Sequence, residues 1–304
     1  MVYVGRFAPT PSGPLHFGSL VTALASWLDA RHHQGRWLLR IEDLDPPREE
    51  PGASERILRT LEALGLTWDG PVIYQSQRSE AYAQALDQLQ QKGEVYPCSC
   101  TRKELQGSRI YPGYCRQGPC HPDQPLAWRL AVDPQLTATW TDRIQGFQQW
   151  PLQAAGDVVV KRKDGLWAYQ LAVTVDDLAF DVTHLVRGID LLDSTPWQMN
   201  LLRYLAPDAA DFDYAHLPVI VNAEGQKLSK QNLAPALDTR QSSELIYRAL
   251  VALNQPVPPE CRQLPCEELL DLAVRHWQAE AIPGKTHIYE ESLPPCTSTA
   301  SSWS

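Results

Sequence analysis

The sequence lacks the features that mark a membrane or secreted protein. None of its apolar runs approaches the ~18 residues that a membrane-spanning helix needs. The amino terminus, MVYVGRFAPT, has neither a basic start nor a long apolar core, so it does not resemble a secretory signal peptide. These absences predict a cytoplasmic protein with no membrane partner.

The chain also lacks an excess of positive charge. Its formal net charge at pH 7 is −9 over 304 residues. A protein that coats nucleic acid without sequence preference is basic, so this balance argues against such a role. It leaves room for a locally basic site that binds one RNA. The hydrophobic fraction of 43 % is enough to bury a core in one large domain or two moderate ones.

The cysteines are odd in number and unevenly placed along the chain. Four of the seven cysteines form a cluster: Cys98, Cys100, Cys115 and Cys120. The other three are scattered near the carboxyl terminus, and we interpret them as free thiols: Cys261, Cys266 and Cys296. In a cytosolic protein a cluster of this kind indicates a metal site rather than disulfides. Zinc prefers four sulfur or nitrogen ligands, so either Cys120 or His121 could complete a set with the other three cysteines.

Strand and helix patterns alternate in the first part of the chain. Strands are predicted over 2–7, 37–45 and 72–77, and helices over 18–33, near 54–64 and over 79–93. This alternation predicts a parallel α/β sheet. Ser54 and Ser194 are predicted helix N-caps, with Pro196 in the first turn of the second of these helices. Residues 98–165, rich in Cys, Gly, Pro and Trp, interrupt the pattern and are interpreted as an insertion.

The loop between the first strand and the first helix, within GRFAPTPSGPLHFGS, is typical of a phosphate site. A helix start offers unpaired N–H groups and partial positive charge. Gly13 and Gly18 would let a ligand approach the backbone, and His16 could donate to a phosphate oxygen. An ordinary Gly/Pro turn beside a surface histidine would give the same pattern.

A second motif lies far downstream, in VNAEGQKLSKQN. Lys227 and Lys230 flank a serine in this glycine-containing segment. Two lysines at this spacing can neutralise a polyphosphate that is held by a helix N-terminus. By itself KLSK is more often a solvated loop.

Together, PLHFG near the start and KLSK late in the chain resemble the paired signatures of class I aminoacyl-tRNA synthetases. Further stretches, LLRIEDLDPPRE, YQSQR and LVRGIDLLDST, resemble the glutamyl branch over nearly all of residues 1–240. The phrases RFAPTPSGPLHFGS, RIEDLDPPRE and YPCSCTR resemble the glutamyl-Q tRNA(Asp) synthetases, which are truncated paralogues of glutamyl-tRNA synthetase. Ser19 replaces the second histidine of the first signature and Gln231 the last serine of the second. Phosphate contact is therefore assigned to His16 and Lys230.

The resemblance implies an α/β fold with a Rossmann-like parallel sheet, an inserted zinc-containing connective segment and a short helical carboxyl-terminal region. The implied segments are 1–97 and 166–240 for the two halves of the catalytic domain, 98–165 for the zinc-binding, acceptor-type insertion, 241–290 for the helical region and 291–304 for a disordered tail.

The resemblance also implies a two-step reaction. Glutamate attacks the α-phosphate of ATP, and the glutamyl group then passes to the queuosine base at the wobble position of tRNA(Asp), with magnesium accompanying ATP. Substrate positioning and electrostatic stabilisation dominate the catalysis of phosphate transfer, so the reaction needs no protein nucleophile. Accordingly, the sequence shows no evident Ser-His-Asp or Cys-His arrangement.

The family's functional positions map onto this sequence residue by residue. In the glutamate pocket, Arg6 and Arg187 are expected to bind the carboxylates and Glu42 to face the ammonium group. The whole implied set comprises Arg6, Ala8, Ser12, Glu42, Tyr169 and Arg187 for glutamate; His16, Gly18, Lys227 and Lys230 for ATP, with His16 and Lys230 catalytic; and Cys98, Cys100, Tyr111 and Cys115 for one structural zinc.

Several alternatives stay open at this point. After the KLSK motif only residues 231–304 follow, which leaves little room for an anticodon-reading domain. The expected partners are queuosine-containing tRNA(Asp), glutamate and ATP, and the expected state is a monomer. A shortened glutamyl-tRNA synthetase that charges a 3′ end is the main alternative. A nucleotidyltransferase of the same superfamily and a non-catalytic RNA-binding remnant are the others.

Overall fold

The computed structural model describes residues 2–108, 110–228 and 234–295. The strands in these ranges are β1 (Val4–Phe7), β2 (Arg36–Ile41), β3 (Ile73–Tyr74), β4 (Val95–Cys98), β5 (Ala127–Leu130), β6 (Thr137–Asp142), β7 (Gly146–Pro151), β8 (Val158–Lys161), β9 (His184–Gly188), β10 (Asp213–Leu217), β11 (Val219–Val221) and β12 (His287–Tyr289). The helices are α1 (Phe17–His32), α2 (Ala53–Ala63), α3 (Ser79–Gln91), α4 (Leu152–Ala155), α5 (Tyr169–Ala179), α6 (Thr195–Leu205), α7 (Ser242–Ala252) and α8 (Cys266–Arg275).

Parallel pairing organises the part of the chain outside the insertion. β1 pairs with β2, and β2 pairs with β3, both in parallel. β9 and β10 form a second parallel pair, and β11 pairs in parallel with β12. The backbone N–H of Thr183, just before β9, donates to the carbonyl of Val4 in β1 over 2.9 Å. The predicted parallel α/β architecture is confirmed, with the carboxyl ends of β1, β2 and β9 close together.

Helix α1 is buried along most of its length. Its buried residues face nearly every direction: Phe17, Leu20, Val21, Ala23, Leu24, Ala25, Ser26, Trp27, Leu28, Asp29 and Ala30. A helix that is apolar on nearly all sides must be covered on all sides. It contacts β1, β2 and β9 and also α7 and α8. The carboxyl-terminal helices therefore help to fix the helix whose first turn adjoins the phosphate-site motif.

The insertion has its own antiparallel structure. β4, β5 and β8 form one antiparallel sheet, and β6 and β7 form a hairpin. The first pair in the sheet joins Val95 to Leu130, so antiparallel pairing begins before the predicted segment start at residue 98. β6 contacts β10, which connects the hairpin to the parallel core. The segment boundaries themselves stay predictions.

Two local predictions were wrong. Ser54 does not cap α2, because the helix begins at Ala53 and the capping position is Gly52, with a φ of 72°. The strand predicted over 72–77 is confined to Ile73–Tyr74, and residues 75–78 form a 3₁₀ turn. That turn brings the buried amide of Gln75 to Asp176, to which it donates over 2.8 Å.

The cap prediction at Ser194 is correct in position and wrong in mechanism. Ser194 occupies the N-cap of α6, with Pro196 in the first turn, yet its side chain makes no capping bond. Its hydroxyl instead accepts a hydrogen bond from the amide of Gln170 over 2.9 Å. Among the described residues, no helix is both long and apolar enough to span a bilayer.

Candidate functional site

The phosphate-site motif places His16 at the N-cap of α1. The backbone N–H of Ser19 donates to Nδ1 of His16 over 3.2 Å. Because Nδ1 accepts, the neutral ring carries its proton on Nε2. The capping bond therefore uses Nδ1 as the acceptor and places the ring proton on Nε2.

Gly18 follows in the first turn of α1, and its small size has a structural reason. A Cβ at this position would lie 3.3 Å from Nδ1 of His16 and 3.8 Å from the Cβ of Ile220. The first distance is tighter than an ordinary van der Waals contact, so a side chain here would press on the imidazole. The second distance shows that β11, which leads to the lysine motif, runs beside the start of α1.

The lysine motif begins directly after β11. Residues 222–226 form a tight turn with Gly225 at a φ of 74°, and the chain returns so that Leu228 N donates to Ile220 O over 2.8 Å. Nζ of Lys227 donates to Asp190 over 2.6 Å, in the segment after β9. Lys230 and Gln231 lie outside the described residues. The described half of the motif thus adjoins the first signature in space.

Four of the residues predicted for the glutamate pocket converge at the carboxyl ends of the parallel strands. Arg6 lies on β1, Glu42 directly follows β2, Arg187 lies on β9 and Tyr169 opens α5. The two arginines are 5 % and 2 % exposed, whereas Glu42 and Tyr169 are half-buried. Their charges act on one another: burial and the charge of Glu42 raise the pKa of Tyr169.

Arg6 and Glu42 are linked through two residues that sequence reasoning missed. Asp177 accepts from Nε of Arg6 over 3.3 Å and from Nη1 of Arg40 over 2.5 Å. Nη2 of Arg40 donates to Glu42 over 3.3 Å. Asp177 keeps its charge despite burial, because Arg40 and Arg6 hold its pKa below the usual range. A pair of adjacent acids in the apolar helix segment TVDDLAF was the available signal for Asp177.

The positive charges near Glu42 do not fully offset the effect of its burial. Burial raises the pKa of its carboxyl group, and the positive charges of Arg40 and Arg6 offset this only in part. A cation beside Glu42 would therefore favour the ionised carboxylate.

Arg187 is held in place by three side chains. It donates from Nη1 to Gln198 over 2.7 Å, from Nη2 to Thr195 over 2.8 Å and from Nε to Nε2 of His216 over 3.0 Å. Burial, together with the nearby charge of Arg6, lowers the pKa of its guanidinium group. Two buried guanidinium groups whose charges act on each other favour the binding of an anion between them.

Ala8 and Ser12 lie in the loop between β1 and α1, and both are half-buried. This loop is attached to the exit of β2, because the N–H of Glu42 donates to the carbonyl of Pro9 over 3.0 Å. Within the loop the N–H of Ser12 donates to Thr10 O over 2.9 Å. The loop is therefore positioned beside Glu42.

Three cysteines of the insertion also converge. The sulfurs of Cys98, Cys100 and Cys115 lie within 4.8 Å of one another, and all three residues are buried. The hydroxyl of Tyr111 is 3.4 Å from the sulfurs of both Cys98 and Cys100. Sγ of Cys115 is 3.5 Å from that of Cys100 and 3.6 Å from that of Cys120. Ligands in a tetrahedral zinc–sulfur site lie about 3.8 Å apart, so this donor set fits zinc.

The two alternative ligands differ from Tyr111 in their surroundings. Cys120 is exposed and adjoins Cys115, to whose sulfur its own backbone N–H donates over 3.4 Å. Nε2 of His121 lies 2.6 Å from the carboxylate of Glu104. Although burial opposes it, backbone donors at Cys120 and Ser99 lower the pKa of Cys115 to about 5, which favours a thiolate that can bind a metal.

Comparison with known proteins gives a consistent family. Residues 2–255 match the family described as tRNA synthetases class I (E and Q), catalytic domain. The chain is similar to a glutamyl-Q tRNA(Asp) synthetase of Pseudomonas putida (strain W619), with 52 % identity over 96 % of this chain and 98 % of that relative. A protein of the same name from Thiobacillus denitrificans is 51 % identical over 92 % of this chain and 95 % of its own length.

Solved structures of glutamate-tRNA ligases share the fold. The structure from Elizabethkingia meningosepticum, in complex with its amino acid, superimposes with a TM-score of 0.77 at 25 % identity. The match covers 95 % of this chain and 66 % of that one. A glutamate-tRNA synthetase from Elizabethkingia anophelis matches with a TM-score of 0.78 at 24 % identity.

Proposed function

Because this chain belongs to the tRNA synthetases class I (E and Q), and within them to the glutamyl-Q tRNA(Asp) synthetases, we propose that it joins glutamate to the queuosine base of tRNA(Asp) with ATP as the energy source. The observation that carries the proposal is the convergence of Arg6, Glu42 and Arg187 at the carboxyl ends of β1, β2 and β9. Two buried cations and one carboxylate are complementary to an amino acid that carries two carboxylates and one ammonium group.

In the proposed first step, Arg6 and Arg187 bind the carboxylates of glutamate, and Glu42 faces its ammonium group. Tyr169, Ala8 and Ser12 complete the walls of the pocket. A carboxylate oxygen of glutamate attacks the α-phosphorus of ATP, the new O–P bond forms, and pyrophosphate leaves. This step needs orientation and charge stabilisation rather than a protein nucleophile.

The phosphates are proposed to lie at the amino-terminal end of α1. His16 would donate from Nε2 to a phosphate oxygen, because Nδ1 is engaged by Ser19. Lys227 and Lys230 would neutralise the departing pyrophosphate from the opposite side, and Gly18 keeps the helix start open. Magnesium bound with ATP supplies further positive charge to the phosphates.

In the second step, a hydroxyl oxygen of the queuosine ring attacks the carbonyl carbon of glutamyl-adenylate. An ester bond forms, the bond to the phosphate breaks, and AMP leaves. The alternative of glutamate transfer to a tRNA 3′ end uses the same first step and a different acceptor.

We also propose that Cys98, Cys100, Tyr111 and Cys115 hold one structural zinc ion. The contacts of the Tyr111 hydroxyl with the sulfurs of Cys98 and Cys100, together with the exposure of Cys120, support this set over one that contains Cys120. Four protein ligands leave no open position, so the ion would hold the segment together rather than take part in the reaction.

The substrate proposal is tested with ATP, labelled glutamate and three RNAs: tRNA(Asp) with queuosine, the same tRNA without it, and tRNA(Glu). We expect label only on the queuosine form, and we expect it to survive removal of the 3′-terminal nucleotides. Label on tRNA(Glu) that disappears with its 3′ end would instead establish the charging enzyme. Absence of label on every RNA would contradict both.

The zinc proposal is tested by metal content after purification in Tyr111→Phe and Cys120→Ser variants. Loss of the tyrosine hydroxyl should lower zinc retention during dialysis against a chelator, whereas Cys120→Ser should retain one ion per chain. The reverse pattern would assign the fourth ligand to Cys120.

A further inference from the structure

We propose that Asp142 and His216 form a positioning pair that orients Arg187 toward the substrate carboxylate. The inference rests on the proposed role of Arg187 in glutamate binding, and it deepens that role. Neither Asp142 nor His216 belongs to one of the sequence motifs, and neither is expected to contact the substrate. Their effect would pass through one hydrogen bond, from Nε of Arg187 to Nε2 of His216.

The geometry forms a continuous buried chain. The carboxylate Oδ2 of Asp142 lies 2.5 Å from Nδ1 of His216, and Nε2 of His216 lies 3.0 Å from Nε of Arg187. Asp142, His216 and Arg187 are 1 %, 0 % and 2 % exposed. The chain therefore lies in a region of low dielectric, where each hydrogen bond has a large effect on orientation.

The donors and acceptors in this chain permit only one tautomer of His216. An arginine Nε always carries a hydrogen, so Nε2 of His216 must accept. The hydroxyl of Thr195, which itself accepts from Nη2 of Arg187, lies 3.3 Å from the same Nε2. The ring proton must therefore sit on Nδ1 and be donated to Asp142. The ring must also be neutral, because an imidazolium would direct a second N–H at Arg187.

Several surrounding groups affect whether the His216 ring is neutral or protonated. Burial and the charges of Arg187 and Arg6 lower the pKa of His216, whereas Asp142 raises it, and the pKa remains below its usual value. The Tyr214 ring stacks on the imidazole with centroids 6.1 Å apart and also lies 5.6 Å from the Arg187 guanidinium carbon. The ring thus has an acceptor, a donor and a fixed plane.

Asp142 is itself held in one orientation. Its Oδ1 accepts from three backbone N–H groups, those of Ile144, Gln145 and His216, at 3.0, 2.9 and 3.1 Å. Asp142 ends β6, so this carboxylate belongs to the hairpin of the insertion while His216 belongs to β10 of the parallel core. The insertion therefore reaches into the support of the amino-acid pocket.

This arrangement makes Asp142→Asn a sharp test. The three backbone donors require an oxygen at the Oδ1 position, so the new amide nitrogen must occupy the Oδ2 position and donate to Nδ1 of His216. His216 must then carry its proton on Nε2, where the proton opposes Nε–H of Arg187. The side chain keeps its volume, and the change is confined to the direction of two hydrogen bonds.

We expect Asp142→Asn to raise the KM for glutamate in glutamate-dependent ATP–pyrophosphate exchange by at least about tenfold, the effect of one lost hydrogen bond to a charged group. The KM for ATP should stay unchanged. Asp133→Asn, an exposed aspartate of the same insertion, is the matched control and should change neither value.

Rescue by a second substitution distinguishes positioning from general damage. When His216→Gln is added to Asp142→Asn, the new side chain supplies an amide oxygen whose two lone pairs can accept both from Nε of Arg187 and from the new amide at position 142. The KM for glutamate should then recover by most of its loss. A structural role alone would make the double variant worse than either single variant, and that result would overturn the proposal.

A readout independent of activity separates this proposal from the proposed function. In ¹⁵N–¹H correlation spectra of the histidine rings, the His216 proton should lie on Nδ1 in the parent protein and on Nε2 in Asp142→Asn. A proton on Nε2 in the parent protein would overturn the positioning pair whatever the substrate is. Correct tautomers combined with exchange that ignores glutamate would instead contradict the proposed function.

Discussion

The proposed glutamate pocket and the cysteine cluster hold their polar atoms in different ways. In the pocket, protein side chains hold each charge: Asp177 binds Arg6 and Arg40, and three side chains hold Arg187. In the cluster, the sulfurs face one another at 3.5–3.6 Å. Within the described part of the chain, only Tyr96, Leu105 and Tyr111 pack against them as partly buried apolar residues. Side chains of the fold orient the charges of the proposed pocket, whereas the cluster brings together sulfurs that could hold a metal ion.

The two regions also differ in charge. Residues 98–165 contain nine lysines and arginines against six acids, while the rest of the chain contains 18 against 30. The insertion is thus the part with a positive balance, the sign that an RNA backbone requires. The acidic total of the chain conceals this local difference.

The largest effect is expected where the pocket loses a charge. Arg187→Gln should lower glutamate-dependent exchange by about 10²–10³-fold, because it removes the buried cation that we propose binds a substrate carboxylate. Exchange kinetics measure the loss, and circular dichroism checks that the fold persists. Arg203→Gln, an exposed arginine on α6, is the control and should retain full activity. Equal losses in both variants would contradict the special role of Arg187.

A substitution in the cysteine cluster should remove the metal site and leave the proposed glutamate pocket intact. Cys115→Ser should reduce local stability by more than about 2 kcal/mol through loss of the ion, and proteolysis within residues 98–165 should accelerate. Glutamate-dependent exchange should stay within about tenfold of the parent value, since no pocket side chain contacts the cluster. Cys261→Ser, at a buried cysteine outside the cluster, should retain the zinc content. Loss of zinc from both variants would show general unfolding.

A pH titration sharpens the comparison inside the pocket. Burial raises the pKa of Glu42, and only its ionised carboxylate would form the proposed ion pair with the ammonium group of glutamate. The KM for glutamate should therefore rise as the pH falls through this raised pKa, by up to about tenfold per pH unit below it. This rise should begin above the ordinary carboxyl pKa of about 4.3. In Glu42→Gln the KM for glutamate should be high and independent of pH over the same range.

The smallest effect on stability is expected at the surface. Lys227 and Asp190 are 46 % and 42 % exposed, so Lys227→Gln should change the free energy of unfolding by no more than about 1 kcal/mol. The KM for ATP should nevertheless rise severalfold if the lysine meets phosphate. Lys285→Gln, at another exposed lysine, should alter neither quantity. A parent-like KM for ATP in Lys227→Gln would remove Lys227 from the proposed phosphate site.

The comparison also shows which parts of the site were predictable. Arg6, Glu42, Tyr169 and Arg187 are far apart in the sequence, and a family resemblance named all four before the structure brought them together. The sequence did not reveal the roles of four further residues: Asp177, Arg40, His216 and Asp142. The role of a buried polar or charged side chain is identified from its hydrogen-bond partner, and each partner here lies on a different strand or helix. The error at Ser54 is of a different kind. The helix α2 begins earlier than predicted, because Gly52 occupies the N-cap in a left-handed backbone conformation. The preference of serine for the N-cap does not reveal that conformation.

Residue types and their spacing were enough to predict the alternation of strands and helices, the two phosphate-site motifs, the cysteine cluster and the family. These depend on residue type and spacing along the chain, and they are visible without three-dimensional information. The tertiary structure alone decided which side chains support Arg187 and Glu42, and that the hairpin of the insertion reaches His216. The reason is that hydrogen bonds inside a core depend on distances and tautomers across different strands and helices, which no local pattern encodes.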